Sequence, residues 1–166
     1  MTVMGDFPVD IAVLAPEQHE RLLTLNNEHA AELSWLEADE FRQLVAEAFL
    51  ARTIGDCDAF LIAFDQGADY WSPNYQWFRS RYPRFLYVDR VVVAPAARGR
   101  GLARRLYQHL FEKALAAGHS LVTCEVNAEP PNPASDAFHA ALGFDPVGSA
   151  AIDGGKKTVR YFVRQL

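Results

Sequence analysis

The stretch Val91-Val92-Val93-Ala94-Pro95-Ala96-Ala97-Arg98-Gly99-Arg100-Gly101-Leu102-Ala103 carries the strongest chemical signal in the chain. A β-branched run ends in a proline turn and passes through two glycines into a helical pattern. The first N–H groups of a helix have no intrahelical partner and sit at the positive end of the helix dipole, so a phosphate docks there when no side chain blocks it. Gly99 and Gly101 keep that approach open, although each glycine costs a helix about 1 kcal/mol relative to alanine. Arg98, Arg100, Arg104 and Arg105 surround the turn with positive charge. These residues predict a site for a phosphorylated ligand, held largely by backbone.

Two familiar phosphate loops are excluded by spacing. The turn lacks the third glycine of G-x-G-x-x-G, where Arg104 stands, and no G-x-x-x-x-G-K-[ST] occurs in the chain. The pattern present, R-G-x-G-[LIV]-[AG] after a strand ending V-x-P, resembles the coenzyme A-binding motif of the GNAT superfamily of acyl-CoA-dependent N-acyltransferases. The resemblance implies acetyl-CoA, or a related acyl-CoA, as acyl donor. It also implies that the backbone at Val91 and Val93 pairs with the pantetheine arm, while Arg98, Gly99, Arg100, Gly101, Leu102 and Ala103 wrap the pyrophosphate. Arg104 either reaches a phosphate or is a solvated helix residue.

Transfer from a thioester to an amine requires the amine to lose a proton and the departing thiolate to gain one, so a base and an acid must flank the thioester. Direct transfer needs no enzyme nucleophile, and the chain has no G-x-S-x-G elbow. The string Cys124-Glu125-Val126, with Asn132, Ala134 and Phe138-His139-Ala140-Ala141-Leu142-Gly143-Phe144, resembles the L-E-V…N…A…L-Y-x-K-L-G-F string of ribosomal-protein alanine acetyltransferases. That likeness implies Glu125 as base and sets Asn132 beside the cofactor, with Asn127 as a competing match and a longer intervening loop here. A carboxyl among apolar neighbours is also pushed towards neutral pKa, as such a base requires. His139 stands where many family members have an acidic tyrosine, and the segment is similar to the L-H-x-x-L-G-[FY] of phosphinothricin acetyltransferases, which implies His139 as acid. Imidazole, with an ordinary pKa of about 6.5, is mostly neutral at pH 7 unless a carboxylate supports it, and Glu125 is available for that. Asp89 and Tyr87, two residues apart and so on one strand face, are the alternative bases; an ion pair with Arg90 is the plainer role for Asp89.

The elements that must position these residues follow from hydrophobic period and turn chemistry. A strand at 10–14 precedes a helix carrying Leu22, Leu25 and Leu33, and a second helix starts at Glu37 or Ala38. Strands 49–54 and 59–64 flank the Gly55-Asp56-Cys57-Asp58 turn, and an aromatic-rich loop spans 65–84 without sustained period. Strand 85–93 is apolar enough for the centre of a sheet covered on both faces. A helix from Leu102 ends at Gly118, strand 121–126 follows, a proline-rich loop crosses 129–133, and helix 134–142 stops at Gly143. Strands 147–152 and 158–163 close a second hairpin. The order β-α-α-β-β-β-α-β-α-β-β is a mixed α/β fold with a partly antiparallel, twisted sheet flanked by helices, similar to the whole GNAT fold.

The 166 residues, half of them hydrophobic, fit one domain over 1–166. A net charge of −5 argues against nucleic-acid or anionic-membrane binding and is compatible with an amine partner. Cys57 and Cys124 sit in apolar segments as buried thiols of a reducing cytoplasm, and no metal-ligand spacing occurs. No apolar run reaches the roughly 20 residues of a membrane span, and 1–10 lacks the order of a leader peptide. The expected activity is N-acetylation of a small-molecule amine or a peptide N-terminus. A catalytically silent acyl-CoA sensor of the same fold and a nucleotide-phosphate binder are the competing readings. The aromatic stretch 69–82 either stacks on an aromatic acceptor, encloses a cationic amine, or packs as a lid or dimer surface, and the C-terminal hairpin offers an edge for a homodimer.

Overall fold

The computed structural model describes Gly5 and residues 7–166; residues 1–4 and 6, part of the stretch read for a leader, lie outside the described residues. The apolar runs form strands β1 (Val9–Asp10), β2 (Leu50–Ile54), β3 (Ala59–Asp65), β4 (Leu86–Val93), β5 (Leu121–Glu129), β6 (Asp145–Ile152) and β7 (Lys157–Gln165). They build one 7-stranded sheet in the order β1-β2-β3-β4-β5-β7-β6. Every pairing is antiparallel except that of β4 with β5. β4 is thus central, as its continuous apolarity predicts, and β6 rather than the last strand forms the edge.

Helices α1 (Pro16–Glu28), α2 (Ala38–Glu47) and α3 (Pro73–Arg79) cover one face, and α4 (Leu102–Ala116) and α5 (Pro133–Ala141) the other. On the first face Leu22, Phe41 and Phe78 pack on Phe60, Phe64 and Tyr87. On the second, Leu106, Tyr107 and Leu110 pack on Leu61, Val88 and Val122. Among the described residues no helix is long and apolar enough to cross a membrane.

Two expectations are corrected. The strand expected at 10–14 is reduced to Val9–Asp10, because the Asp10 carboxylate accepts a hydrogen bond from the Ala12 N–H (3.0 Å) and caps a 3-10 turn over Ile11–Val13. The aromatic stretch is not all loop: α3 adds a helix between β3 and β4. Ser72 caps it by accepting from the Tyr75 N–H (3.1 Å), Pro73 occupies its first turn, and Tyr75 and Phe78 are buried.

The parallel pairing stops early. β4 and β5 are registered only at Leu86↔Val122 and Tyr87↔Thr123. Beyond them β4 stays with β3 and β5 stays with β7, so the two strands part. The β3–β4 register slips between Ile62 and Ala63, which face Arg90 and Val88, and Asp89 is the extra residue of a bulge. Asp89 and Arg90 therefore both turn towards α1 and the segment before α3, and Val91 returns to the α4 face.

The packing predicts that Phe78→Ala destabilises the fold by about 3–5 kcal/mol, whereas Trp71→Ala, at an exposed position, changes stability by less than about 0.5 kcal/mol. Urea unfolding measures both.

Candidate active site

The residues singled out by spacing converge on the gap between β4 and β5. A cavity of about 150 Å³ there is walled by Val88, Val91, Tyr107, Glu125, Asn132 and His139. An adjoining cavity of about 160 Å³ continues along Val91, Val92 and Val93 to Arg98. A path therefore runs from Glu125 along β4 to the glycine turn.

At that turn Gly99 and Gly101 have φ of +81° and +72°, values that side-chain-bearing residues rarely adopt. A Cβ at either would meet nothing within 4 Å, so the space above the turn is open. Gly101 is the cap of α4 without any side chain to bond, and no acidic residue stands in the first turn. The N–H groups there remain available to an anion. Arg98 and Arg104 are exposed, Leu102 is buried beneath the turn, and Ala103 is half-buried. The Arg100 guanidinium pairs with Asp58 (3.2 Å). Asn132 caps α5, its Oδ1 accepting from the Ser135 N–H (3.3 Å), and lines the first cavity together with Asn127.

Glu125 projects from β5 on the α3 side. Its Oε1 accepts a hydrogen bond from Asn74 Nδ2 (3.1 Å), and its buried Oε2 has no partner among the described residues. Burial pushes its carboxyl up to about 8; the hydroxyl of Tyr87 opposes this, the charge of Asp89 reinforces it, and the Asn74 amide again opposes it.

His139 lies on the other face, in a ring of Tyr107, Phe138 and Phe144. Its Nδ1 lies 2.8 Å from the Ser135 carbonyl, which can only accept, so Nδ1 carries the hydrogen. Its Nε2 accepts from the Tyr107 hydroxyl (2.8 Å). Burial lowers its pKa, so the ring is neutral. The pairing of Glu125 with His139 that the sequence allows is not formed, since the sheet lies between them and both ring nitrogens have other partners. Sequence reasoning also misses Tyr107 and Asn74. Tyr107 reads as one more apolar position of an amphipathic helix, and Asn74 sits on a helix whose only local signal is Ser72-Pro73.

The alternative bases are occupied. Asp89 receives hydrogen bonds from Tyr70 and from Arg90 Nε (2.6 Å), and Arg90 also donates to Asn26 Oδ1 (2.7 Å). Burial drives the Tyr87 hydroxyl well above its ordinary range. Of the two tryptophans in the aromatic segment, Trp77 stacks on Tyr161 at 4.1 Å. Trp71 instead lines a cavity of about 430 Å³ with Glu40, Glu47, Asp69 and Arg90.

The chain matches the Acetyltransferase (GNAT) family over residues 26–144. It belongs to that family. An L-2,4-diaminobutyric acid acetyltransferase from Nocardia farcinica is 36% identical over 66 residues, which span 40% of this chain and 33% of that relative. The fold is similar to that of the ribosomal-protein-S18-alanine N-acetyltransferase from Escherichia coli, with a TM-score of 0.66 and 18% identity, covering 92% of this chain and 90% of the other. It is also similar to Arabidopsis thaliana NAA60 solved with acetyl-CoA, with a TM-score of 0.68 and 16% identity over 96% of each chain.

The raised pKa of Glu125 has a signed consequence for stability. Between its ordinary 4.5 and about 8 the native state holds a proton that the unfolded chain has lost, so stability conferred at low pH falls as pH rises through that window. In Glu125→Gln that contribution disappears, and the stability gap between variant and parent widens in the variant's favour from pH 5 to pH 8.5. Urea midpoints measured across that range check the sign.

Proposed function

We propose that this GNAT domain acts in the cytoplasm as an N-acetyltransferase, moving an acetyl group from acetyl-CoA directly to the primary amine of a small molecule. The observation that carries the reading is the buried, unpartnered Oε2 of Glu125 at one end of a strand gap whose other end is an open, uncapped helix N-terminus. Acetyl-CoA fits the residues present: the turn from Gly99 to Ala103 offers free N–H groups, Arg98 and Arg104 offer charge, Asn132 borders the path, and the β5-facing backbone of Val91 and Val93 is released from the parallel ladder. When bound, the thioester supplies an activated acyl group.

Two proton transfers fall to this chain. The bound ammonium first gives one proton to water, and Glu125 Oε2 takes the second as the neutral amine forms the new C–N bond. As the C–S bond breaks, its electron pair stays on sulfur, and the Tyr107 hydroxyl turns its single hydrogen from His139 Nε2 to the sulfur and gives it up. Water then returns a proton to Tyr107 and removes one from Glu125. His139, the acid that the family pattern implies, acts through Tyr107 by holding its hydroxyl. An imidazolium would exist only below the lowered pKa of His139, where a base titrating near 8 is protonated, whereas the phenol of Tyr107 stays protonated throughout. The groups facing this phenol are Cys124 and Glu125 from β5 and His139 from α5, with Asp136 beside the histidine.

The acceptor enters through the cavity bearing Glu40, Glu47, Asp69 and Trp71, which shares Arg90 with the reaction cavity. Carboxylates and an exposed indole draw a cationic amine. The diaminobutyrate acetyltransferase among the relatives is named for an acceptor of that class.

Thiol release from acetyl-CoA with a panel of amines, amino acids and short peptides tests the reading; a silent sensor releases none. The kcat/KM profile of the parent rises with pH to a plateau above about 8. Glu125→Gln lowers kcat by about 10²–10⁴-fold, and Tyr107→Phe lowers the plateau by about 10-fold or more without moving the limb. A Glu125→Gln variant turning over at the parent rate from pH 6 to 9 overturns the assignment of the base.

The turn is tested separately. Gly101→Glu places bulk and negative charge at the phosphate position and weakens CoA binding at least tenfold by calorimetry, whereas Gly101→Ala isolates the backbone strain at φ +72°.

A further inference from the structure

The first turn of α3 reaches Glu125 through one side chain. Asn74 lies between Tyr161, on β7, and Glu125, on β5, two residues that face each other in the β5–β7 register. The Tyr161 hydroxyl donates to Asn74 Oδ1 (2.8 Å), and Asn74 Nδ2 donates to Glu125 Oε1 (3.1 Å). A phenol can donate or accept and an amide has distinct donor and acceptor ends, so the direction of the Tyr161 hydrogen bond, donated to Oδ1, sets which end meets Glu125. With Oδ1 occupied by Tyr161, the end presented to Glu125 is the N–H. Tyr161 is 1% exposed and clamped by the stacked indole of Trp77, so this decision is made by a rigid neighbour.

We infer that Asn74, oriented by Tyr161, is a positioning residue that reserves Oε1 of Glu125 as a hydrogen-bond acceptor and leaves the unpartnered Oε2 as the basic oxygen. The inference rests on Glu125 being the base. An oxygen that already accepts the amide N–H is the poorer place for a proton, so proton uptake is confined to Oε2. The same N–H favours the ionised carboxylate and opposes the upward push of burial. The remaining groups around Glu125 are Tyr87 and Asp89 from β4, Tyr70 ahead of α3, Tyr161 from β7 and Tyr107 from α4, with Arg90 balancing Asp89. Asn74 and Tyr87 are the neighbouring side chains that pull the Glu125 pKa down, and Asn74 alone has its orientation fixed by a second side chain.

The test compares Asn74→Ala, Asn74→Asp and Tyr161→Phe with the parent by two readouts: the pH limb of kcat/KM and the infrared titration of the Glu125 carboxyl, identified as the band lost in Glu125→Gln. Asn74→Ala moves both to higher pH by about one unit, the size of a lost hydrogen bond to a charged group. Tyr161→Phe moves them in the same direction, because the freed amide can turn Oδ1 towards the carboxyl and favour its protonated form. Asn74→Asp makes a pair of carboxyls that share one proton at neutral pH, and moves the limb by about two units. All three keep their high-pH plateau within about tenfold of the parent, since Oε2 still accepts the proton. Activity lost with limb and band unmoved means a merely structural Asn74 and overturns the inference, as does a limb unmoved in both Asn74 variants. Turnover of Glu125→Gln at the parent rate sinks the base assignment instead, and the infrared band still reports whether Asn74 governs the carboxyl. Should Asn74→Asp fail to fold, the shifts in Tyr161→Phe and Asn74→Ala decide the matter by themselves.

Discussion

The architecture of the site depends on the side-chain knot at the bulge in β4. Asp89 and Arg90 are nearly fully buried, paired at 2.6 Å, and tied to α1 through Asn26 and to the segment before α3 through Tyr70. A buried ion pair contributes little net stability, yet removing one partner costs about 3–5 kcal/mol because the other charge is left unmatched. The pair therefore pins a backbone irregularity more than it holds the core together. Two successive side chains must point towards the same helices, so β4 gains a residue against β3, bends and twists, and leaves β5 after Tyr87↔Thr123. Backbone groups that would have completed a parallel ladder instead border a gap, and the path to the glycine turn follows from that one displacement.

In the reaction proposed for this site, the gap also separates the two kinds of proton chemistry. Residues on β5 alternate between faces, so Cys124 and Val126 join the α4 face while Glu125 meets Asn74 and Tyr87 on the other. Tyr107 and His139 approach from the α4 face. A base and an acid in direct contact would exchange a proton with each other, whereas these reach the gap from opposite sides. The neutral tautomer of His139 is fixed by the Ser135 carbonyl, one turn earlier in α5, so the acid side is set by local helix geometry and the base side by long-range contacts.

What can be read from the residues divides along the same line. The glycine turn, the Leu102–Ala116 helix and the central strand are legible because their causes are local: φ-permissive glycines, a 3.6-residue apolar period and a continuous β-branched run. Glu125 and Asn132 are reached through a string likeness, and both border the cavity. The helix α3 is hard to see because seven residues offer only Tyr75 and Phe78 as a buried face, although Ser72 and Pro73 mark its start. The bulge is not legible because its cause is Asn26, far away in the chain, and strict alternation would put Val91 on the face of Tyr87. The partners of His139 escape for a similar reason: nothing in an amphipathic period distinguishes a buried tyrosine that bonds a histidine from one that merely fills space.

The hydrogen bonding of the interior sets Glu125 apart. Among the described residues, the buried side-chain atoms left without a partner are one ring nitrogen each of His19, His109 and His119, and Oε2 of Glu125. A neutral imidazole nitrogen tolerates this at modest cost, and burial lowers the pKa of His109 and His119, which keeps them neutral. Burial likewise keeps the Glu125 carboxyl neutral up to about 8, and the penalty falls on Oε2 once it ionises, because an unmatched ionised group is penalised far more than a neutral one. Asn74 spends its N–H on Oε1, held there by Tyr161, and the Tyr87 hydroxyl bears on the same carboxyl from β4. The fold thus maintains an unpaired acceptor at a buried acid that faces the β4–β5 gap, a cost in stability that packing alone does not require and that accepting a proton from a ligand in the gap would offset.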